Sequence, residues 1–321
     1  MKIIISHNSA LEYWRMHGDV PIDDAARLRR TVPPANPPNI DSISEIIPSG
    51  LSYPIDLIVR SQKAKRKSKM VKPHMYTGPA PDGSYVSIGN GVAVSAPPLC
   101  FFQMAGELPL VKLVQLGLEL CGTYSLPIKD EYSPGVEAAD NVLYGQPQLT
   151  NIKALKAFAV RMEGVRGQKK VSRALRYIAD GSASPMETKL FLLLTLPYKL
   201  GGYGLPAPKL NRRIEIGNPA RRGSGKAYYV CDLFWEKANV AVEYDSEFYH
   251  SGADKIVSDS RKRFDLEKRG IYVTTVTGRQ IRNVKEFESF AKLIARKLGR
   301  QLRFKNPQFH EIQRDLFNLL K

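Results

Sequence analysis

The residues best suited to chemistry are the acidic side chains between positions 232 and 245. Asp232 lies in the β-rich run YYVCDLFW, whereas Glu243 and Asp245 lie in the run VAVEYD. The polar turn 236–239 between the runs predicts a β-hairpin. Because strand side chains alternate in direction, Glu243 and Asp245 share one face, and Val240, Val242 and Tyr244 point into a core. Carboxylate oxygens on adjacent strands predict a site for a cation such as Mg²⁺.

Other patterns place helices and a further strand around this hairpin. Residues 184–187, Ser-Pro-Met-Glu, have the sequence of a helix N-terminus with a capping box, and the apolar run after them predicts a buried helix. Residues 255–270 predict a helix that ends at Gly270, followed by the β-branched strand IYVTTV. With RRIEI as the first strand, the predicted order from 184 is αβββαβ, an α/β core.

This constellation resembles the very-short-patch-repair-like (Vsr-like) branch of the PD-(D/E)XK nuclease superfamily, over about 184–300. The residues that carry the resemblance precede the segment IYVTTVTGRQI and are Glu187 in SPMETKLFLLLTLP, Asp232, Glu243-Tyr244-Asp245, His250, and Asp259 with Lys262 or Arg263. The resemblance implies a restriction-endonuclease-like core and a metal-dependent DNA endonuclease that leaves a 5′-phosphate.

The resemblance also implies the metal ligands. Asp232 and Glu243 would hold Mg²⁺ or Mn²⁺, together with the carbonyl group of Tyr244 and with Glu187. Such an ion activates a water molecule and neutralises charge on the phosphate that is attacked. Glu187 has a second, purely structural explanation, because it is placed to cap its own helix, and the two roles are compatible.

One departure from the superfamily pattern concerns the catalytic lysine. That lysine would fall at position 245, where this chain has Asp245. The general base is therefore unassigned, and His250 or Lys255 would supply the missing cation or proton relay. The predicted catalytic set is Glu187, Asp232, Glu243, Asp245 and His250.

The distribution of charge points to a polyanionic partner. Residues 1–150 contain 14 Lys or Arg and 14 Asp or Glu, so the whole net charge of +17 lies in residues 151–321. A basic region of this kind favours nucleic acid, and we expect DNA; a basic surface that serves only solubility is the alternative. The residues expected to contact DNA are Arg212, Arg213, Arg221, Arg222, Lys255, Arg261, Lys262 and Arg263.

The length of 321 residues predicts about two domains. The expected order is an N-terminal α+β domain, a linker rich in proline and glycine, a basic helical segment, the nuclease-like domain and a C-terminal helix. Their predicted bounds are 1–124, 125–150, 151–183, 184–300 and 301–321. Segment 47–124 resembles the module that precedes nuclease-like domains in AbiEi-type antitoxin and abortive-infection relatives, which implies defence against phage or other foreign DNA.

The remaining patterns bear on compartment and partners. The three cysteines have no metal-ligand spacing and sit among apolar residues, which predicts buried thiols in a reducing cytoplasm. His7 and His17 match no metal spacing and are expected to be structural. No apolar run is long enough to cross a membrane, so we expect no membrane partner, and a homodimer or a partner protein stays open. The alternative function is a DNA-binding regulator or antitoxin with a nuclease fold and weak or lost catalysis.

Overall fold

The computed structural model of the chain describes residues 3–18, 26–29, 31, 33–34, 43–61, 68–128, 141–216, 227–245, 253–304 and 306–320, with only the backbone for 253–256. The chain forms two compact units, Met1–Ile178 and Ala179–Lys321. The second unit thus begins at Ala179, near the predicted start at 184. The predicted helical segment does not stand alone, because most of it belongs to the first unit. The predicted α/β class is confirmed.

A six-stranded mixed sheet forms the centre of the first unit. Its strands are β1 (Ile3–Ile5), β2 (Arg27–Leu28), β3 (Ile55–Val59), β4 (Val71–Met75), β5 (Tyr85–Gly89) and β6 (Val92–Ser95). The strand order is β2-β5-β6-β1-β3-β4. β1 is parallel to β6 and antiparallel to β3, and β3 is parallel to β4. Every residue of β1, β3 and β6 is buried, which explains why these strands are apolar except at Asp56 and Ser95.

Three strands of this sheet illustrate what the sequence reveals. The dipeptide Asn90-Gly91 between two alternating apolar runs predicts the hairpin β5–β6, and both residues have the positive φ, 51° and 76°, that such a tight turn requires. β4 was not predicted, because its sequence VKPHM contains Pro73, which cannot donate a ladder hydrogen bond. Proline is tolerated here because β4 is the edge strand of the sheet.

Helices and one short strand pair complete the first unit. They are α1 (His7–His17), α2 (Ile43–Ile46), α3 (Pro97–Met104), α4 (Leu110–Leu120), α5 (Ile152–Arg161), α6 (Gln168–Ala174), and the pair β7 (Tyr124–Ser125) with β8 (Leu143–Tyr144). A Cβ on Gly117 of α4 would lie 2.2 Å from Cδ1 of Ile178, so these residues pack in direct contact. Lys170 of α6 donates hydrogen bonds to the carbonyls of Ala105 and Leu108. Residues 151–178 therefore belong to this unit.

The second unit contains a four-stranded mixed sheet and five helices. They are α7 (Pro185–Thr195), β9 (Lys209–Glu215), β10 (Tyr228–Trp235), β11 (Val240–Asp245), α8 (Ala253–Glu267), β12 (Tyr272–Thr277), α9 (Gly278–Arg282), α10 (Val284–Lys297) and α11 (Phe309–Leu319). The strand order is β12-β11-β10-β9, with β11 parallel to β12 and the other pairs antiparallel. The elements from α7 to β12 follow the predicted αβββαβ order. The short helix α9 was not predicted.

Helix α7 is anchored by its apolar sequence and by its cap. Residues 190–194 are at most 1% exposed, as expected for a helix that is apolar on all sides. The Ser184 hydroxyl accepts a hydrogen bond from the Glu187 amide at 3.1 Å, which is the predicted N-cap. The helix contacts β10, so its N-terminus brings Glu187 toward the hairpin.

The C-terminal part of the chain packs within the second unit. Asn283, which precedes a run with helical apolar spacing and is therefore the predicted cap, caps α10 by accepting hydrogen bonds from the amides of Lys285 and Glu286. The ring of Phe309 lies edge-on to the rings of Tyr198 and Tyr203, with centroids 5.6 and 6.1 Å apart, so α11 packs back onto the unit. No helix in the described part of the chain combines the length and apolar character needed to cross a membrane.

We predict that Leu194→Ala lowers the free energy of unfolding by about 2–5 kcal/mol, because it leaves a cavity near the C-terminal end of α7. Val257→Ala, at a position of α8 that is 57% exposed, is the matched control. It should change stability by less than about 0.5 kcal/mol. Urea unfolding followed by circular dichroism measures the free energy of unfolding of both variants. Equal losses would show that burial of Leu194 contributes no more to stability than the exposed side chain of Val257.

Candidate metal centre

The site is built around an irregularity in β10 at Asp232. Asn211 of β9 stands opposite this residue with φ +46°, a left-handed conformation that asparagine tolerates better than most side chains. Cys231 and Phe234 are three residues apart, yet both pack in the same buried cluster as Ala241. The side chains of β10 therefore change face between these positions although the register with β9 is the same on both sides of Asp232, and the regular pairing is interrupted where Asp232 faces Asn211.

The Asp232 carboxylate replaces a backbone acceptor in the hairpin. Its Oδ2 accepts a hydrogen bond from the Tyr244 amide at 2.7 Å. The regular pairing of β10 with β11 ends just before this bond, at Leu233 and Val242. The irregularity thus turns Asp232 toward the neighbouring strand, next to the residue that follows Glu243.

Glu243 is the second carboxylate of the site, and its charge partner comes from α8. Lys262 Nζ lies 2.8 Å from Glu243 Oε2, with the two side chains 22% and 18% exposed. The same ammonium group donates a hydrogen bond to the carbonyl of Val230 at 2.6 Å. Lys262 was predicted to contact DNA, and the structure instead turns it toward the carboxylates.

Glu187 completes what we call the carboxylate site, namely Glu187, Asp232 and Glu243. Its carboxylate accepts hydrogen bonds from the Ala183 amide, the Ser184 hydroxyl and the Asn211 side-chain amide. Ser184 caps the helix as expected, but Glu187 does not close the predicted capping box, because its carboxylate accepts from the amide of Ala183 and not from that of Ser184. These contacts do not exclude a metal role, because Glu187 is close enough to Asp232 for the two charges to interact.

The three carboxyl groups share an environment that disfavours their charged forms. Burial raises the pKa of Asp232, although the Tyr244 amide and Lys262 act in the opposite direction. Burial and then the charge of Asp232 raise the pKa of Glu187. The same two causes raise the pKa of Glu243 to about 7, despite the ion pair with Lys262. One positive charge is thus insufficient to balance three buried carboxylates.

Carboxylate oxygens are the ligands that a hard divalent cation prefers, although in the described part of the chain the ligand atoms of these three residues do not all lie within 4.8 Å of one another. Glu243 Oε1 is buried and has no hydrogen-bond partner within the described part of the chain. The thiol of Cys231 interacts with this carboxyl group, and burial raises the pKa of that thiol to about 12. An unpartnered carboxylate oxygen among further carboxylates is the arrangement that Mg²⁺ or Mn²⁺ would satisfy.

The other predicted site residues lie around the carboxylate site or outside the described residues. Asp245 is exposed at the end of β11, and it is not among the principal causes of the raised carboxyl pKa values. Asp259 is also exposed, on α8. The positions of Arg221, Arg222 and His250, and the side chain of Lys255, lie outside the described residues.

The predicted DNA-contacting arginines that the structure describes are exposed and have local partners. Arg212 pairs with Glu236 at 2.9 Å. Arg213 pairs with Glu215, and its guanidinium lies 3.7 Å from the centre of the Tyr228 ring. Arg261 and Arg263 are exposed on α8, where Arg263 contacts the hydroxyl of Thr275.

One residue of the site and one contact were missed by sequence reasoning. The residue is Asn211, which joins Glu187 to the sheet, and the contact is the ion pair that joins Lys262 of α8 to Glu243. Lys262 was named through the family resemblance and as an expected DNA contact, neither of which indicated Glu243 as its partner. Asn211 had no signal beyond the ability of asparagine to adopt a positive φ.

The chain matches no family model, no curated protein and no solved structure. The functional interpretation therefore rests on the geometry and electrostatics of the carboxylate site.

We predict that Glu243→Gln stabilises the metal-free protein, and more so at about pH 8 than at about pH 5. The pKa of Glu243 is higher in the folded state than its ordinary value of 4.5, so a bound proton favours folding. This contribution is fully present below the unfolded pKa and is lost as the pH rises through the folded value of about 7. Thermal unfolding in a chelator at both pH values measures the difference.

The control for this prediction is Glu236→Gln. Glu236 forms an exposed ion pair with Arg212, and exposed pairs contribute little to stability. Its effect should be small at both pH values. A loss of stability in Glu243→Gln at the higher pH would mean that Lys262 fully compensates the buried charge.

Proposed function

We propose that the chain is a metal-dependent DNA endonuclease that hydrolyses phosphodiester bonds. The observation that carries this proposal is that the charge of Asp232 raises the pKa of both Glu187 and Glu243, so buried carboxyl groups from three different elements, α7, β10 and β11, interact. Three such carboxyl groups with raised pKa values are costly to maintain without a positively charged ligand.

Asp232 and Glu243 are the proposed principal ligands, and Glu187 is the third. Bound Mg²⁺ or Mn²⁺ would neutralise phosphate charge and activate water for attack. Within the chain, Asn211 and the Ala183 amide orient Glu187, and the Tyr244 amide orients Asp232. These neighbours fix the positions of the carboxylates in the absence of a ligand, which lowers the free-energy cost of ordering them when a ligand binds.

Lys262 is the proposed substitute for the superfamily lysine that Asp245 replaces. Its ammonium group already lies 2.8 Å from Glu243, and its charge also lowers the pKa of Asp232. Once the carboxylates have another cationic partner, the Lys262 Nζ is available to orient a water molecule or a phosphate oxygen. Because it approaches from α8 and not from β11, it supplies the cation without the lysine at position 245.

DNA is the proposed substrate because the net charge of the chain lies in residues 151–321. The exposed arginines of β9 and α8 would contact phosphates through charge-assisted hydrogen bonds, which fix position but not sequence. Through the resemblance to nuclease and abortive-infection families, we further propose a cytoplasmic role in defence against foreign DNA.

One observation favours a second candidate, a DNA-binding regulator or antitoxin without catalysis. The Lys262–Glu243 ion pair already provides a positive charge where the metal would bind. A lysine can take over the structural role of a lost cation, leaving the basic surface to bind DNA. The two functions differ in whether a divalent cation changes the stability and the DNA-cleaving activity of the protein.

We predict that the full chain cleaves plasmid DNA with Mg²⁺ or Mn²⁺ and not with EDTA. Asp232→Asn and Glu243→Gln should each reduce cleavage by at least about 100-fold, because each removes a ligand that stabilises the metal. Glu236→Gln, in the turn of the same hairpin, is the matched control and should cleave normally. Circular dichroism confirms folding; a folded Asp232→Asn that cuts at the wild-type rate would refute the assignment.

We also predict that Mg²⁺ or Mn²⁺ raises the melting temperature, with a larger effect at higher pH because the ligands must be deprotonated. The stabilisation follows mass action and amounts to about 2.7 kcal/mol at a hundredfold excess over Kd. Asp232→Asn should lose the response. If neither metal changes the melting temperature of the wild type between about pH 5 and pH 8, the regulator becomes the favoured function.

A further inference from the structure

A second cluster of potential metal ligands lies in the first unit, whereas the residues of the carboxylate site belong to the second unit. His7 is the first residue of α1, His74 lies in β4, and Glu107 follows α3. One ligand atom from each of these residues lies within 4.8 Å of the other two. The sequence did not predict this, because the three residues are far apart along the chain and match no metal-ligand spacing.

We propose that His7, His74 and Glu107 bind a divalent transition-metal ion such as Zn²⁺. Asp56 orients His74 by contacting the ring nitrogen that does not bind the metal. Two imidazoles and one carboxylate are a ligand set that zinc uses in sites with an open fourth position. Imidazole nitrogen suits zinc and related metals, whereas Mg²⁺ prefers oxygen. The chemistry of this histidine site therefore differs from that of the carboxylate site.

The Asp56 contact is the strongest structural support. Asp56 is only 4% exposed, and its Oδ1 lies 2.6 Å from Nε2 of His74. A buried carboxylate on one nitrogen of a histidine fixes the ring and makes the other nitrogen a better ligand. That leaves Nδ1 of His74 for the metal. Lys72, 3.3 Å from Asp56 Oδ1, and the Ser9 hydroxyl, bonded to the Asp56 amide, hold Asp56 in place.

His7 is held beside His74 by an unusual backbone conformation. Its φ is +48°, which is uncommon for a residue other than glycine. Its amide donates to the side chain of Gln103, and its Nδ1 lies 3.0 Å from the Ser6 hydroxyl. The Nε2 atom of His7 is the nitrogen that remains for a ligand. Strained backbone of this kind concentrates at functional sites.

Binding requires one ring to turn. The His7 and His74 rings are stacked, with centroids 3.6 Å apart and planes inclined by only 16°. A metal lies in the plane of each imidazole that binds it, so two nearly parallel rings cannot share one ion. Asp56 fixes His74, and the ring that turns is therefore His7, which exchanges its stacking contact for coordination.

The test uses the full chain after treatment with a chelator. Zn²⁺ is titrated in competition with a chromophoric chelator, in the presence of excess Mg²⁺ to occupy the carboxylate site. The wild type should bind one Zn²⁺ per chain. Glu107→Gln changes only an exposed side chain and should weaken binding at least about 10-fold, and Asp56→Asn should weaken it by about 10- to 100-fold.

Two controls separate this site from adventitious binding. His17→Gln removes a histidine of α1 that stacks on Tyr13, and it should bind Zn²⁺ as the wild type does. His74→Gln should lose the ion. In NMR spectra, saturating Zn²⁺ should remove the ring-current shifts that stacking gives to the His7 and His74 ring protons.

Three results would overturn the proposal: binding of Zn²⁺ by His74→Gln as tightly as by the wild type, displacement of Zn²⁺ by Mg²⁺, or unchanged ring resonances at saturation. None of them bears on DNA cleavage. Asp232→Asn, which should abolish cleavage, should still bind Zn²⁺ at the histidine site, so the two proposals can fail separately.

Discussion

The second unit depends on how it accommodates a carboxylate in the interior of a hairpin. A buried charged group is tolerated only when it has hydrogen bonds and a counter-charge. Asp232 obtains the first from the Tyr244 amide and the second from Lys262. To reach the amide, β10 must break its regular pairing, and this break is what turns the side chain toward Glu243.

The balance of charge at this site differs from the one that the sequence suggested. The sequence placed the excess negative charge at Asp245, in the position of the superfamily lysine. In the structure Asp245 is exposed, and the unfavourable interactions arise among Glu187, Asp232 and Glu243. Lys262 is their cationic neighbour from another element. A comparison of position 245 alone with the family pattern thus misses that a lysine from a different element, Lys262, supplies the positive charge through tertiary packing.

The parts of the fold that the sequence predicted are those governed by local chemistry. The Asn90-Gly91 turn, the Ser184 and Asn283 caps and the αβββαβ order follow from side chains acting on their own backbone. The parts that escaped prediction depend on partners distant in sequence. β4 is a strand although it contains Pro73, because it lies at the sheet edge, and His7 meets His74 only after β1, β3 and β4 assemble.

The hydrogen bond from the Tyr244 amide ends on a side-chain carboxylate instead of a peptide carbonyl. A peptide carbonyl keeps nearly the same electron density under all conditions, whereas a carboxylate loses acceptor strength when it gains a proton or shares its oxygen with a cation. The Tyr244 amide is therefore a natural spectroscopic probe within the sheet. The 15N and 1H chemical shifts of this amide and its solvent exchange rate report the protonation and ligand state of Asp232. Amides elsewhere in the same strands, which donate to peptide carbonyls, do not report it.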